Sequence, residues 1–291
     1  MSLDPISRVR RFARAVTTEV GALDSSFLGR GRPLGAARLL NAIGHGHSRV
    51  SELRAYLGLD SGLTSRLLRS LEADGMIVTT PDSDDARARI ASLTATGERE
   101  FEAYEQLSDA QAGDLMSRYP DSEALLDAMD LIGSAFGRNR ITIEETDPRH
   151  DWSRYCLEEY YAELERRFER GFDVSLSCDP DAEDMIRPRG SFFIAISDGL
   201  PLGCVGLKGH GGEAAEIKRL WVAPSARGLG LARRLMIAAE TAASEIGVSV
   251  LRLDTNSALP EAEKLYRSTG WVEIPRFNDD PYPDKFFEKQ L

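Results

Sequence analysis

Two stretches of the chain place groups where they could do chemistry. In the first, Arg227-Gly228-Leu229-Gly230-Leu231-Ala232 follows the strand-like run Glu216 to Val222 and leads into a helix with the apolar stripe Leu231, Leu235, Ala239, Ala242 and Ile246. Backbone N–H groups at such a helix start, uncrowded by Cβ at Gly228 and Gly230, form an anion site suited to a pyrophosphate. Arg227, Arg233 and Arg234 add positive charge beside it. A Walker A loop is excluded because no Gly-Lys-Ser/Thr follows. A Rossmann fingerprint is excluded because Arg233 stands at its third glycine and the strand does not open a βαβ unit. A Gly-rich turn without a ligand stays open. In the second stretch, Leu63, Leu67, Leu68 and Leu71 share one side of a helix, and Ser61, Ser65, Arg66, Arg69, Ser70 and Glu72 share the other. Those Arg forks and hydroxyls suit guanine edges and phosphates in a major groove, with a plain solvated face as the other reading.

The elements around the second stretch sharpen it. Apolar residues at Ile6, Val9, Phe12, Val16, Val20, Leu23 and Phe27 predict one long helix over Asp4 to Leu28. A helix over Leu34 to Ile43 follows, then one capped by Ser48 and stopped by Gly58, then one opening at Ser61 or Gly62. Two short helices joined by a Gly-containing turn make a helix-turn-helix. Met76 to Pro81 and Arg87 to Leu93 read as a hairpin behind it, a wing. Asp85-Ala86-Arg87 with Leu93-Thr94, and Leu71-Glu72-Ala73-Asp74-Gly75-Met76-Ile77, resemble the wing and helix-to-wing segments of the MarR family of winged-helix repressors. The resemblance implies a homodimer held by the first helix and by helices over Ala95 to Tyr119 and Ser122 to Phe136. It implies duplex DNA as a partner of Ser61, Ser65, Arg66 and Arg69, with Arg87 at the wing tip entering a minor groove and Asp85 orienting it. The acidic turn Asp82, Asp84 and Asp85 predicts modest, salt-dependent binding.

In the second half, Asp147-Pro148 breaks a strand-like run near Arg140 to Glu144, a helix is predicted over Trp152 to Arg170, and strands and helices then alternate, which implies a mixed sheet. Val248 to Thr255 is a strand ending at Asn256, Pro260 starts a helix that holds Tyr266, Gly270-Trp271 ends it, and Phe286 to Lys289 is a last strand. Together with the loop Arg227 to Ala232, this order resembles the GNAT acyltransferases. The resemblance implies acetyl-CoA as cosubstrate, bound by Leu220, Trp221 and Val222, by Arg227, Gly228, Leu229, Gly230, Leu231, Ala232 and Arg233, and by Asn256 and Tyr266. Tyr266 would protonate the departing thiolate. Glu216 stands where several members carry the carboxylate base that an amine of pKa ~8 to ~10.4 requires at neutral pH. An ion pair of Glu216 with Lys218 or Arg219, and a packing role for Tyr266, are the competing readings. The acceptor is expected against Tyr155 to Phe172, where Tyr160, Tyr161, Glu163 and Phe172 offer aromatic walls and a carboxylate, with the loop Asn278 to Pro283 closing over it.

At 291 residues the chain has room for two domains, expected at 1–138 and 139–291: an α-rich winged helix-turn-helix domain, then an α+β GNAT domain with a mixed central sheet. The halves 1–145 and 146–291 carry net charges of −5 and −6, so any DNA contact depends on a local basic stripe rather than bulk charge. Three dispersed cysteines and the lone pair His45 and His47 predict neither disulfides nor a metal site. With no secretory signal or membrane span, a cytoplasmic location is expected. These features predict a bifunctional regulator and acetyl-CoA-dependent N-acetyltransferase of a small amine. Two alternatives remain: a transcription factor that only senses acetyl-CoA, and an acetyltransferase whose winged helix only dimerises.

Overall fold

The computed structural model describes residues 4–85, 87–119, 121–176, 182–209 and 211–291. Ala86 of the wing motif and Cys178 lie outside the described residues. The chain divides into two compact units, 1–122 and 123–291.

The first unit opens with α1 (Pro5–Glu19), capped by Asp4, whose carboxylate accepts from the Ser7 N–H at 2.9 Å. This helix is shorter than the apolar spacing to Phe27 suggests. Gly21 takes a left-handed φ of +63° and turns the chain, and Phe27–Gly29 forms only a 3-10 turn. Helices α2 (Leu34–Gly44), α3 (Val50–Leu57) and α4 (Ser61–Ala73) follow. Gly58 ends α3 at φ +64°, as expected, but Ser48 does not cap it: the Ser48 carbonyl accepts from Ala91 N–H in the wing at 2.8 Å. Asp60 caps α4 by accepting from Leu63 N–H. Strands β1 (Ile77–Pro81) and β2 (Arg89–Leu93) form the antiparallel hairpin, and α5 (Ala95–Ser117) leads away from it. Leu39, Leu40, Leu53, Leu71 and Ile77 are the buried centre.

The second unit takes in α6 (Ser122–Gly137) from Glu123 on, and the C-terminal Gly137 of this helix is buried close to Ser197. Then come β3 (Thr142–Glu145), α7 (Asp151–Arg167), β4 (Ser191–Ser197), β5 (Leu200–Gly209), β6 (Ala214–Val222), α8 (Leu231–Glu245), β7 (Val250–Thr255), α9 (Pro260–Ser268), β8 (Val272–Glu273) and β9 (Lys285–Gln290). They build a seven-stranded mixed sheet in the order β3-β4-β5-β6-β7-β9-β8, with β6 and β7 its parallel pair. Alternation along the strands sends Ala195, Val205, Leu207 and Ile217 into the cluster with Leu231 and Leu235 of α8. Phe192, Ile194 and Cys204 join Cys156 of α7 in a separate cluster. The β6–β7 ladder covers only Ala214–Ile217 against Val250–Leu253. Beyond it β6 runs on to Val222 without that partner, and the opening so made holds the site.

Candidate active site

Strand β6 carries an irregularity at the opening. Cys204 of β5 faces Trp221 and Gly206 faces Lys218, so Val205 stands opposite two residues, Arg219 and Leu220. Arg219 takes φ +57°, its carbonyl accepts from the Cys204 thiol at 3.3 Å, and Leu220, Trp221 and Val222 are carried past the end of the ladder. Gly228 and Gly230 both hold φ +77°, the second at the N-cap of α8, whose first turn bears no acidic residue. A Cβ at either glycine would meet nothing within 4 Å, so the space above the loop is open. The N–H groups of this helix start face outward from the positive end of the helix dipole.

One cavity, about 460 Å³, runs from this loop along β6. It brings together Leu220, Trp221, Val222, Arg227, Gly228, Gly230, Leu231, Ala232 and Arg233 of the expected set. Leu229 is not part of its wall and packs against the α8-side core. The Arg227 guanidinium turns to Val222 O at 3.0 Å and Glu163 at 2.5 Å, so it braces the wall rather than the loop. Arg234 donates to Ile141 O at 2.6 Å and is likewise structural. Glu163, expected to face the acceptor, also accepts from Trp221 Nε1 at 3.0 Å.

A second cavity opens beside the first, lined by Tyr160, Tyr161, Phe168 and Phe172, by the ends of β6 and β7, by α9, and by Asp280, Tyr282 and Pro283. Asn256 and Tyr266 belong to this wall. Asn256 donates to Tyr282 O at 2.6 Å and accepts from Ala258 N–H at 2.8 Å, tying the loop 278–283 to the approach of α9. Tyr266 is 5% exposed, and burial, with the charge of Asp254 behind it, pushes its pKa well above the ordinary tyrosine value. Tyr160, Leu164, Leu220, Leu259 and Ala262 line both cavities, which therefore share a wall.

Glu216 lies outside both cavities, in an ion pair with Lys218 at 3.2 Å. Of the two readings open for it, the pairing with Lys218 is the one the geometry displays. Lys218 bridges on to Asp254 at 2.7 Å. Burial works against its charge, but Asp254 and Glu216 outweigh this and raise its pKa. Asp254 and Asp280 line the second cavity, and sequence reasoning passed over both. The signal for Asp254 was its place on the strand just before Asn256; Asp280 had no signal beyond the loop that holds it.

In the first unit, Ser61, Ser65, Arg66 and Arg69 are all exposed on one face of α4, while Thr64, Leu68 and Leu71 are buried on the other. Arg69 Nε donates to Ser65 O at 3.1 Å. Arg87 is exposed in the wing turn, and Asp85 accepts its backbone N–H at 3.0 Å, so Asp85 shapes the turn through the main chain. Asp82 pairs with Arg49 at 2.5 Å, which removes one of the wing's three repulsive charges. Its pKa is lowered, by the Asp84 N–H first; burial opposes this, and Arg49 adds to the lowering.

The model of the acetyltransferase (GNAT) family matches residues 143–271. An IAA acetyltransferase of Azospirillum brasilense is 34% identical over 117 residues, covering 38% of this chain and 74% of that protein. The chain belongs to the GNAT acetyltransferases. The MarR family model matches residues 30–88, so a MarR-family domain precedes the acetyltransferase. Among solved structures, a GNAT-family acetyltransferase of Staphylococcus aureus Mu50 is 20% identical, covering 52% of this chain and 99% of that one with a TM-score of 0.46. A MarR-family transcriptional regulator of Rhodococcus sp. RHA1 is 20% identical, covering 46% and 96%, with a TM-score of 0.40.

Acetyl-CoA is the cosubstrate of GNAT acetyltransferases and supplies the acetyl group as a thioester. The residues present fit it: two left-handed glycines under open space, a helix start without acidic residues, and a groove reaching the second cavity. Among the described residues no group of three or more His, Cys, Asp and Glu is placed to hold a metal, and no helix is long and apolar enough to cross a membrane.

Proposed function

We propose that the chain transfers acetyl from acetyl-CoA to a small amine, with the pyrophosphate on the loop Gly228–Ala232 and the amine in the second cavity. The shared wall of the two cavities carries this reading, because the amine nitrogen must meet the thioester carbon at one place. The nitrogen lone pair forms the new C–N bond and the C–S bond breaks. Tyr266, which lines the second cavity and is protonated at neutral pH, gives its proton to the leaving sulfur. Asp254, which lines the cavity, takes the amine proton directly or through water; Glu216 acts behind it through Lys218 as a positioning residue. A screen of amines for thiol release from acetyl-CoA tests this. Release above the amine-free rate with at least one small amine is expected, and release with none removes the enzymatic reading.

For the first unit we propose duplex DNA binding as a homodimer, with α4 in the major groove and Arg87 at the wing. Exposed apolar residues support the dimer. No residue of α1 is buried, Ile6 and Val9 are about two-thirds exposed, and Leu126 and Phe136 of α6 are exposed as well. On this reading α6 serves the regulatory domain, and the functional division falls at 138/139.

A further inference from the structure

Arg219 is not used in the transfer described above, yet it sits at the site in a backbone conformation that a non-glycine residue rarely adopts. Such outliers persist only where the surroundings hold them, and they gather where ligands bind. The irregularity in β6 that produces it inserts one extra residue, so Lys218 and Arg219, neighbours that would face opposite sides of a regular strand, both line the second cavity.

We propose that Arg219 binds an anionic group of the acceptor, so that the acceptor is a small amine that also carries a carboxylate or comparable anion. The inference rests on the acetyltransferase reading above. Arg219 is 8% exposed, and its guanidinium lies over the Tyr161 ring at 5.8 Å from the centroid. Tyr161 in turn stacks on Phe172 at 5.8 Å, so the platform is fixed. Burial disfavours the arginine's charge, and the tyrosines at 161 and 160 offset part of that. An anion entering the cavity meets this planar fork where little water competes, the setting in which charge-assisted hydrogen bonds are strongest.

The other charges of the cavity suit the amine end. Asp254 is held by Lys218 Nζ at 2.7 Å and Asn278 Nδ2 at 2.6 Å, and Asp280 accepts from Tyr282 N–H at 3.0 Å, so both carboxylates are fixed in place. A cavity of about 90 Å³ that displays both signs of charge matches a compact amino carboxylate better than a simple amine or a polyamine.

The test is a panel of matched acceptors given to the full-length protein with acetyl-CoA: glycine and methylamine, leucine and isopentylamine, phenylalanine and phenethylamine, taurine and ethylamine. The anion-bearing member of at least one pair should be preferred by about tenfold or more in kcat/KM. Arg219→Gln should abolish the preference by raising KM, with kcat and the acetyl-CoA Kd nearly unchanged, and Arg219→Lys should restore part of it. Calorimetric titration of the preferred acceptor into the CoA-loaded protein should show the same loss in Arg219→Gln. Equal use of both members, acetylation of the plain amines alone, no acetylation of any anion-bearing member by a protein that binds acetyl-CoA, or a preference that survives Arg219→Gln each overturns the proposal. Failure of the wild-type protein to bind acetyl-CoA would instead undo the reading beneath it.

Discussion

The Tyr266 hydroxyl is held protonated by burial far beyond neutral pH, which is the condition for donating to a thiolate and also what a packed core tyrosine would display. Tyr266→Phe separates the two because it keeps the ring and its contacts with Trp271 and Phe287. Proton donation predicts unchanged acetyl-CoA affinity and a fall in kcat of ~10²-fold or more, while a packing role predicts wild-type turnover. Since the folded-state pKa is raised, the protonated form persists through pH 9, and the wild-type rate should show no alkaline fall from this group between pH 6 and 9. Asp254→Asn should lower kcat/KM by ~10²-fold near neutrality, with the deficit shrinking as pH approaches the acceptor amine's own pKa and a base is no longer needed. Glu216→Gln should have the smaller effect, because Glu216 lies outside both cavities and pairs with Lys218; steady-state rates across pH decide the order. Glu216 also marks how far residue types can be read. The resemblance points to it at the start of the strand before the loop, but a single extra residue at Arg219 decides which side chains of β6 enter the cavity, and no composition pattern announces it.

At the level of elements, the run from Glu216 to Tyr266 was legible because each piece has a local cause: strand residues to Val222, glycines where φ must be positive, an apolar stripe on α8, proline opening α9. The end of α1 was not, since its apolar spacing continues past Glu19 and only the conformation of Gly21 breaks it. Leu235 of α8 is fully buried against the sheet, so Leu235→Ala should destabilise the second unit by ~2–5 kcal/mol in chemical denaturation, with no direct effect on the first. On α4, replacing Arg66 or Arg69 by Ala should cost ~1–3 kcal/mol of DNA affinity and relax one base position, whereas loss of a phosphate contact weakens all sequences alike. Selection of enriched duplexes followed by binding titrations at several salt concentrations distinguishes these. Arg49→Ala should weaken binding further by releasing the charge of Asp82 in the wing.

On the scale of the whole molecule, a MarR-family domain and a GNAT acetyltransferase domain occupy successive parts of one chain. Sedimentation should give twice the 32.1 kDa chain mass, and Ile6→Asp with Val9→Asp should return the monomer by charging the exposed face of α1. The change of sequence pattern near residue 140 announces a second domain, while compactness alone divides the chain at 122/123. The helix α6 between these two positions carries no such signal, because its apolar residues are largely exposed and its buried end rests on a glycine. Calorimetric titration of acetyl-CoA into the full-length protein and into Gly230→Glu tests the central claim most directly. A side chain at φ +77° strains the loop, and a carboxylate there repels the pyrophosphate from the start of α8. Saturable binding of one acetyl-CoA per chain in the wild type, lost in Gly230→Glu while the variant remains folded, is the expected result; equal affinity in the two proteins would contradict it.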